Sequence, residues 1–159
     1  MISGPQNNPQ DILVFTLDAP QYALPLAIVE RVLRAVEITP LPKAPEIVRG
    51  VINLRGRVIP VVDIRRRFGL PARTLRLDDR LLVAQASHRP VALVVDEVVG
   101  LRRLAQEQTQ DSEPALSFAP HLKGVAKLED GLALIYDLDQ FLSLDEQKAL
   151  DAALSGGDG

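Results

Sequence analysis

A strand–turn–strand unit that ends in an aspartate occurs twice in this chain of 159 residues. The first copy begins at Gly50-Val51 and reaches Asp63-Ile64, and the second begins at Gly124-Val125 and reaches Asp137-Leu138. Both pairs of positions differ by the same offset of about 74 residues, which is the signature of a duplicated structural unit. The repeat therefore predicts two small barrels of short strands, since a curled sheet leaves fewer exposed edges.

The first copy shows the hairpin pattern clearly. Residues 50–54 (GVINL) and 58–62 (VIPVV) are rich in β-branched side chains, which suit strands, and Arg55-Gly56 forms a tight turn between them. Pro60 cannot donate a hydrogen bond to a neighbouring strand, so it predicts an edge or bulge position. These patterns, in a chain that is 47% hydrophobic and 4% aromatic, predict a mainly β fold with an aliphatic core.

The segments before and between the copies are less regular. Residues 1–10 predict a disordered leader, whereas 12–17 and 21–25 predict two strands. Apolar residues within 29–36 have the spacing of a helix, so this segment predicts a short helix that runs into extended chain. Residues 105–120 are polar, contain two prolines and predict a long loop.

Helix-start signals occur at two places. Asp63 follows the return strand of the first copy and is expected to cap a short helix. Ser143 and Glu146 have the spacing of a capping box, in which each residue satisfies the other's backbone N–H group. This pattern predicts a C-terminal helix over 144–154, followed by a frayed tail at 155–159.

The sequence shows no constellation that is typical of catalysis. There is no cysteine, and the two histidines, His88 and His121, lie far apart in predicted loops. A metal site needs several ligands at suitable spacing, and the usual hydrolase and nucleotide-binding motifs are also missing. We therefore expect a protein that is not an enzyme and that uses no cofactor.

Charge and hydropathy favour a cytoplasmic protein that does not bind nucleic acid. The net charge is −3, whereas nucleic-acid modules usually carry a basic stripe, so we interpret the cluster Arg65–Arg67 as a solvated face. The N-terminus resembles no signal peptide, and no apolar run approaches the roughly 18 residues needed to cross a bilayer.

Residues 50–56 (GVINLRG) and 59–65 (IPVVDIR) together resemble the signature of the CheW-like family. The similarity extends over about residues 11–143, which we treat as one domain built from two duplicated halves. The resemblance implies two five-stranded SH3-like β-barrels, packed side by side, with short helices. It also implies a non-catalytic adaptor at receptor arrays on the inner face of the membrane. Such adaptors couple the cytoplasmic tips of chemoreceptors to the regulatory domain of a CheA-type histidine kinase.

The same resemblance implies a set of partner-binding residues. Arg55 matches an arginine that is functionally sensitive in the family, and Asn53, Gly50 and Gly56 belong to the same motif. Val29 and Val98 match apolar positions near a groove between the halves, which holds a receptor helix.

The resemblance also raises a question about the partner of Arg55. Arg31 stands where familiar members carry an acidic residue that pairs with this arginine. Glu30 is therefore expected to tie Arg55 in this chain, with Glu37 as the alternative.

Two alternative functions stay open at this point. One is a CheW paralogue that serves a pilus or another surface-motility pathway. The other is a small-barrel nucleic-acid binder, which the acidic balance and the scarcity of aromatic side chains disfavour.

Overall fold

A computed structural model describes residues 11–18, 20–34, 37–71, 73–103, 109–111, 122–129 and 131–156. The predicted leader at 1–10 and the last residues of the predicted tail lie outside this part of the chain. The described residues form strands β1 (Asp11–Thr16), β2 (Gln21–Pro25), β3 (Val29–Arg34), β4 (Val48–Leu54), β5 (Arg57–Val62), β6 (Arg80–Gln85), β7 (Pro90–Val95), β8 (Glu97–Arg103), β9 (Thr109–Asp111), β10 (Leu122–Leu128) and β11 (Gly131–Tyr136). They also form helices α1 (Ile64–Arg67) and α2 (Leu144–Gly156).

The strands belong to two sheets, which confirms the predicted mainly β fold. One sheet has six strands in the order β8-β1-β2-β11-β10-β9, and the other has five in the order β3-β6-β7-β5-β4. The sixth strand of the first sheet is β9, which pairs with β10 inside the segment predicted as a loop. That prediction is wrong for residues 109–111, and most of the segment lies outside the described residues.

The chain divides into two compact units that are not its sequence halves. The first unit contains residues up to Val29 and Asp96–Gln140, and the second contains Glu30–Val95 and the C-terminal segment from Phe141. Strand β3 follows β2 in the chain but pairs in the five-stranded sheet, and β8 follows β7 but pairs with β1. The five-stranded sheet is therefore built from one continuous stretch of chain, whereas the six-stranded sheet combines strands that precede and follow that stretch.

The two segments of the sequence repeat share details of backbone geometry. The β4–β5 register shifts between Val48 and Gly50, and the β10–β11 register shifts between Leu122 and Gly124. In both segments the second strand also pairs in parallel, β5 with β7 and β11 with β2. A bulge at the same place increases the local twist of both hairpins in the same way.

Two expectations about single strands are wrong. Residues 29–34 form a strand rather than a helix. Exposed and half-buried side chains alternate along it, as expected of a strand with one face toward the core. Pro60 lies in β5, which is an interior strand of its sheet. The proline is tolerated there because β5 pairs with β7 only at Val61 and Val62, beyond the proline.

Each unit has its own aliphatic core. In the first unit the buried cluster includes Ile12, Val14 and Ile135, and in the second it includes Ile59 and Leu81. Full burial of a side chain of this size contributes about 1.5–3 kcal/mol, so these clusters stabilise the sheets that carry the surface features described below.

The arginine cluster on α1 is not the solvated face that its sequence suggests. Arg65 is only 4% exposed, and its guanidinium donates a hydrogen bond to the Pro71 carbonyl oxygen at 3.3 Å. Arg67 pairs with Glu146 at 2.5 Å, whereas Arg66 is exposed. Only Arg66 therefore behaves as the composition predicted.

Helix α2 begins at the predicted capping box and extends to Gly156 rather than ending at 154. The Ser143 N–H donates to Glu146 Oε1 at 2.8 Å, and the Glu146 N–H donates to Ser143 Oγ at 3.1 Å. Leu150 is buried, and Asp151 forms an ion pair with Arg89 in the turn before β7. The capping box fixes where α2 begins, and buried Leu150 together with the Arg89–Asp151 pair holds the helix against the rest of the second unit.

Candidate partner-binding site

The turn between β4 and β5 is a two-residue hairpin loop with an unusual backbone. Leu54 and Arg57 close the hairpin, and the two loop residues, Arg55 and Gly56, have φ angles of 55° and 84°. Positive φ at both central residues defines the mirror-image turn that matches the twist of paired strands. Asn53 supports this turn, since its side-chain oxygen accepts a hydrogen bond from the Gly56 N–H at 2.8 Å.

Arg55 occupies a position that folding alone would give to another residue. Asn, Asp or Gly usually takes the first place of such a turn, because a larger side chain costs about 1–2 kcal/mol in the left-handed region. Arg55 is exposed, and within the described residues its guanidinium forms no ion pair. The turn therefore presents a strained, solvent-facing arginine whose donors are available to another molecule.

Glu30 pairs with Arg57 and not with Arg55, so the predicted contact is wrong. Glu37, the alternative partner, is exposed. The physical reason lies in the strand positions: Arg57 is the first residue of β5, and Glu30 is on β3, which is at the edge of the same sheet. Their ion pair ties the start of the return strand to that edge and leaves Arg55 at the tip.

The other predicted site residues lie in different surroundings. Val29 begins β3 and is half-buried, and Val98 is half-buried on β8, opposite Phe15. Gly50 is buried, and a Cβ atom added there would lie 2.3 Å from the Thr39 carbonyl oxygen. Packing against the Thr39 backbone therefore constrains Gly50, and its predicted contact with a partner stays a prediction.

The structure unites only part of the predicted set. Asn53, Arg55, Gly56 and Glu30 belong to the second unit, where the Glu30–Arg57 pair brings β3 next to the hairpin. Val29 and Val98 belong to the first unit, so their place in a shared groove stays a prediction.

The sequence reasoning missed two residues of this surface, Arg57 and Val58. Val58 is 57% exposed and lies directly opposite Asn53 in the hairpin. No local signal in the sequence marks this exposure, because β5 is buried continuously from Ile59 to Val62 and shows no alternation of apolar and polar residues. The hairpin thus presents an exposed apolar side chain beside two arginines, and arginine is a residue type that is enriched at protein interfaces.

No described helix is long and apolar enough to cross a membrane. His88 is exposed, and His121 lies outside the described residues. In the part of the chain that the structure covers, no cluster of acidic, histidine or cysteine side chains is arranged to hold a metal ion.

One hairpin of the five-stranded sheet presents an exposed arginine, without an ion pair among the described residues, and an exposed valine, which suits a scaffold that contacts other proteins. The CheW-like domain model matches residues 11–146, and this chain belongs to that family. Members of this family are scaffolding proteins and not enzymes.

Individual relatives extend the match over most of the chain. The chain is 31% identical over 132 residues to the Chemotaxis protein CheW of Thermotoga maritima, covering 83% of this chain and 87% of the relative. It is 28% identical over 147 residues to the Chemotaxis protein CheW of Klebsiella aerogenes, covering 89% and 87%. The crystal structure of the scaffolding protein TtCheW from Thermoanaerobacter tengcongensis matches with a TM-score of 0.80 and 30% identity, covering 87% of this chain and 95% of that one. The chain is accordingly a CheW-type scaffold in chemotaxis signalling.

Proposed function

We propose that this chain couples chemoreceptors to a CheA-type histidine kinase. It would act at receptor arrays on the inner face of the cytoplasmic membrane. The β4–β5 hairpin would contact the receptor's cytoplasmic tip, and another surface would bind the regulatory domain of the kinase. The CheW-type scaffold and the hairpin together support this assignment.

The observation that carries the proposal is the conformation of Arg55. A scaffold gains nothing in stability from an arginine with a φ of 55°, yet the residue stands there, exposed and without an ion pair among the described residues. A guanidinium offers five N–H donors in a planar fork, which suits the carboxylates and carbonyl groups of a receptor helix. The strain is consistent with selection for binding rather than folding.

The test is receptor-dependent kinase activation with Arg55→Ala. Alanine keeps the positive-φ cost, so the thermal melt should barely change, whereas loss of an anchoring contact can cost about 2 kcal/mol of binding free energy. Activation should therefore fall by more than about tenfold while the fold is preserved.

Arg66→Ala is the matched control. Arg66 is also an exposed arginine of the second unit, and its ion pair with Glu46 has side chains 51% and 83% exposed, so it contributes little. Normal activation by Arg55→Ala, or loss of activation by both variants, would contradict the proposal.

The motility pathway is a separate matter. A paralogue that serves a pilus or surface-motility system would use the same adaptor surfaces with another receptor, and this alternative stays a prediction. The chain is also 32% identical over 106 residues to Protein PilI of Pseudomonas aeruginosa, which covers 65% of this chain and 60% of that protein. Neighbouring receptor, kinase and methyltransferase genes would distinguish the two pathways.

A further inference from the structure

Leu77 is the most exposed of the large apolar side chains described, with 90% of its surface accessible. It lies in the loop between α1 and β6, whereas Leu75, two residues earlier, packs partly against the core of the second unit. Water-exposed leucines occur on many proteins, so exposure by itself says little. What distinguishes Leu77 is the backbone that carries it.

The turn Arg76–Asp79 is held by an unusual number of hydrogen bonds. The Asp79 N–H donates to the Arg76 carbonyl oxygen at 3.0 Å, and the Arg76 N–H donates back to the Asp79 carboxylate at 2.7 Å. The same carboxylate, which is 1% exposed as a residue, accepts two bonds from the Arg73 guanidinium at 2.9 and 2.7 Å. Arg80 adds a bond to the Asp78 carbonyl oxygen at 2.7 Å.

This network fixes the turn before any partner arrives. A side chain on a preorganised turn loses little conformational entropy on binding. Leu77 can therefore anchor a partner at a lower entropic cost than a leucine on a flexible loop. The turn itself places no apolar requirement on position 77, since the hydrogen bonds described above are made by the backbone and by charged side chains. Leu77 therefore contributes nothing visible to folding.

The charges around Leu77 indicate the chemistry of what would cover it. Arg73 balances the buried Asp79, so the charges that remain beside Leu77 are Arg76 and Arg80 against Asp78. This rim is net positive on a chain whose overall charge is −3. It complements an apolar pocket that is bordered by carboxylates.

The turn and the Arg55 hairpin lie at opposite ends of one sheet. Strands β5 and β7 are parallel, and β6 is antiparallel to β7, so β6 begins where β5 ends. The Arg55-Gly56 loop immediately precedes β5, and the Leu77 turn immediately precedes β6. The length of a six-residue strand therefore separates them, which is about 20 Å.

We propose that the turn Arg76–Asp79 is a second binding surface, on which Leu77 inserts into a carboxylate-rimmed apolar pocket of the CheA-type kinase. The inference rests on the proposed function, because an adaptor must hold two partners at once and needs two surfaces that do not overlap. The Arg55 hairpin serves the receptor, and the Leu77 turn at the far end of the same sheet serves the kinase.

The experiment measures two affinities for each variant of the full chain. Binding to the full-length cognate kinase is followed by calorimetry, and binding to receptor-containing membrane vesicles is followed by co-sedimentation. Leu77→Ala and Leu77→Ser should each weaken kinase binding by about tenfold or more and leave receptor binding and the thermal melt unchanged. Arg55→Ala should show the opposite pattern.

Leu144→Ala is the matched control, since Leu144 is also an exposed leucine, 70% accessible at the start of α2. It should change neither affinity. Kinase binding at the wild-type level by both Leu77 variants would overturn the inference and leave the proposed function standing. Equal losses of kinase binding with Leu144→Ala, or a loss of receptor binding instead of kinase binding, would also overturn it. A wild-type chain that binds neither kinase nor receptor would refute the proposed function itself.

Discussion

Replacement of Gly50 by alanine should destabilise the second unit more than any other glycine substitution described here. Gly50 has a φ of 151°, and its missing Cβ would lie 2.3 Å from the Thr39 oxygen and 2.7 Å from a methyl carbon of Ile38. Thr39 pairs with Val51 through two backbone hydrogen bonds of 2.9 and 2.8 Å. An added methyl group must therefore push this backbone pair apart.

The magnitude follows from the contacts. The positive φ costs an alanine about 1–2 kcal/mol, and loss of the Thr39–Val51 hydrogen bonds costs about 1 kcal/mol for each. The expected loss for Gly50→Ala is therefore about 3–4 kcal/mol of unfolding free energy. Gly56→Ala is the control, because Gly56 also has positive φ but has no atom within 4 Å of its added Cβ. Gly56→Ala should lower the free energy of unfolding only by the cost of the positive φ angle, about 1–2 kcal/mol.

The assay is urea-induced unfolding followed by circular dichroism. The dependence of the unfolding free energy on urea concentration should be the same for both variants as for the wild type. If Gly50→Ala loses no more than Gly56→Ala, the close approach of Thr39 does not constrain this position and the reasoning is wrong. The residual folded Gly50→Ala protein should still bind its partners, since Gly50 acts through the fold.

Three further outcomes are expected. Arg55→Asn should raise the unfolding free energy by about 0.5–1 kcal/mol, because asparagine tolerates the left-handed region, and should abolish receptor-dependent kinase activation; unchanged stability in a urea titration would contradict the strain. Partial burial acts to raise the pKa of Glu146, but hydrogen bonds from Arg67 and Ser143 hold that pKa below its usual range. The ionised carboxylate therefore stabilises the fold at neutral pH, and this stabilisation is lost as the pH falls through the lowered pKa. Glu146→Gln should remove that part of the fall in melting temperature at acidic pH. An unchanged melting temperature profile at acidic pH would count against the ion pair of Glu146 with Arg67. Val98→Asp should weaken receptor binding in co-sedimentation while the melt stays cooperative, whereas unfolding would show that this half-buried valine is core.

The hairpins were predictable from the sequence because their signals are local. Runs of β-branched residues, the Arg55-Gly56 turn and the Ser143–Glu146 capping box each act within a few positions. Residues 29–34 were misread because the helical spacing was counted from the apolar residues alone. In the strand, Val29 and Leu33 lie on the half-buried face, whereas Val32 lies on the opposite face and is exposed. Which period applies is decided by the strand that pairs beside it, and that partner, β6, is distant in the chain.

The site was predictable as a motif but not as a set of contacts. The family signature identified Arg55, and the Arg55-Gly56 pair predicted that this arginine lies in a tight turn between two strands. The exchange of Arg57 for Arg55 as the partner of Glu30 depends on how a five-stranded sheet brings β3 near the start of β5, which no local pattern encodes. The burial of Gly50 likewise depends on the Thr39 segment crossing over it. The rigid Leu77 turn was missed because its network joins charged residues that look like a linker in the sequence.

The crossed connectivity of the sheets has a consequence for synthesis on the ribosome. The second unit takes its whole sheet from β3 to β7, one uninterrupted stretch of nascent chain. The first unit begins with β1 and β2, yet β2 must wait for its parallel neighbour β11, which is made about 110 residues later. The sheet of the first unit therefore closes only after all five strands of the second unit have been made, and its first hairpin leaves the exit tunnel with an unpaired edge. Stalled chains that end before β10 should bind a hydrophobic-segment chaperone through residues 11–25, and release should coincide with the emergence of β11.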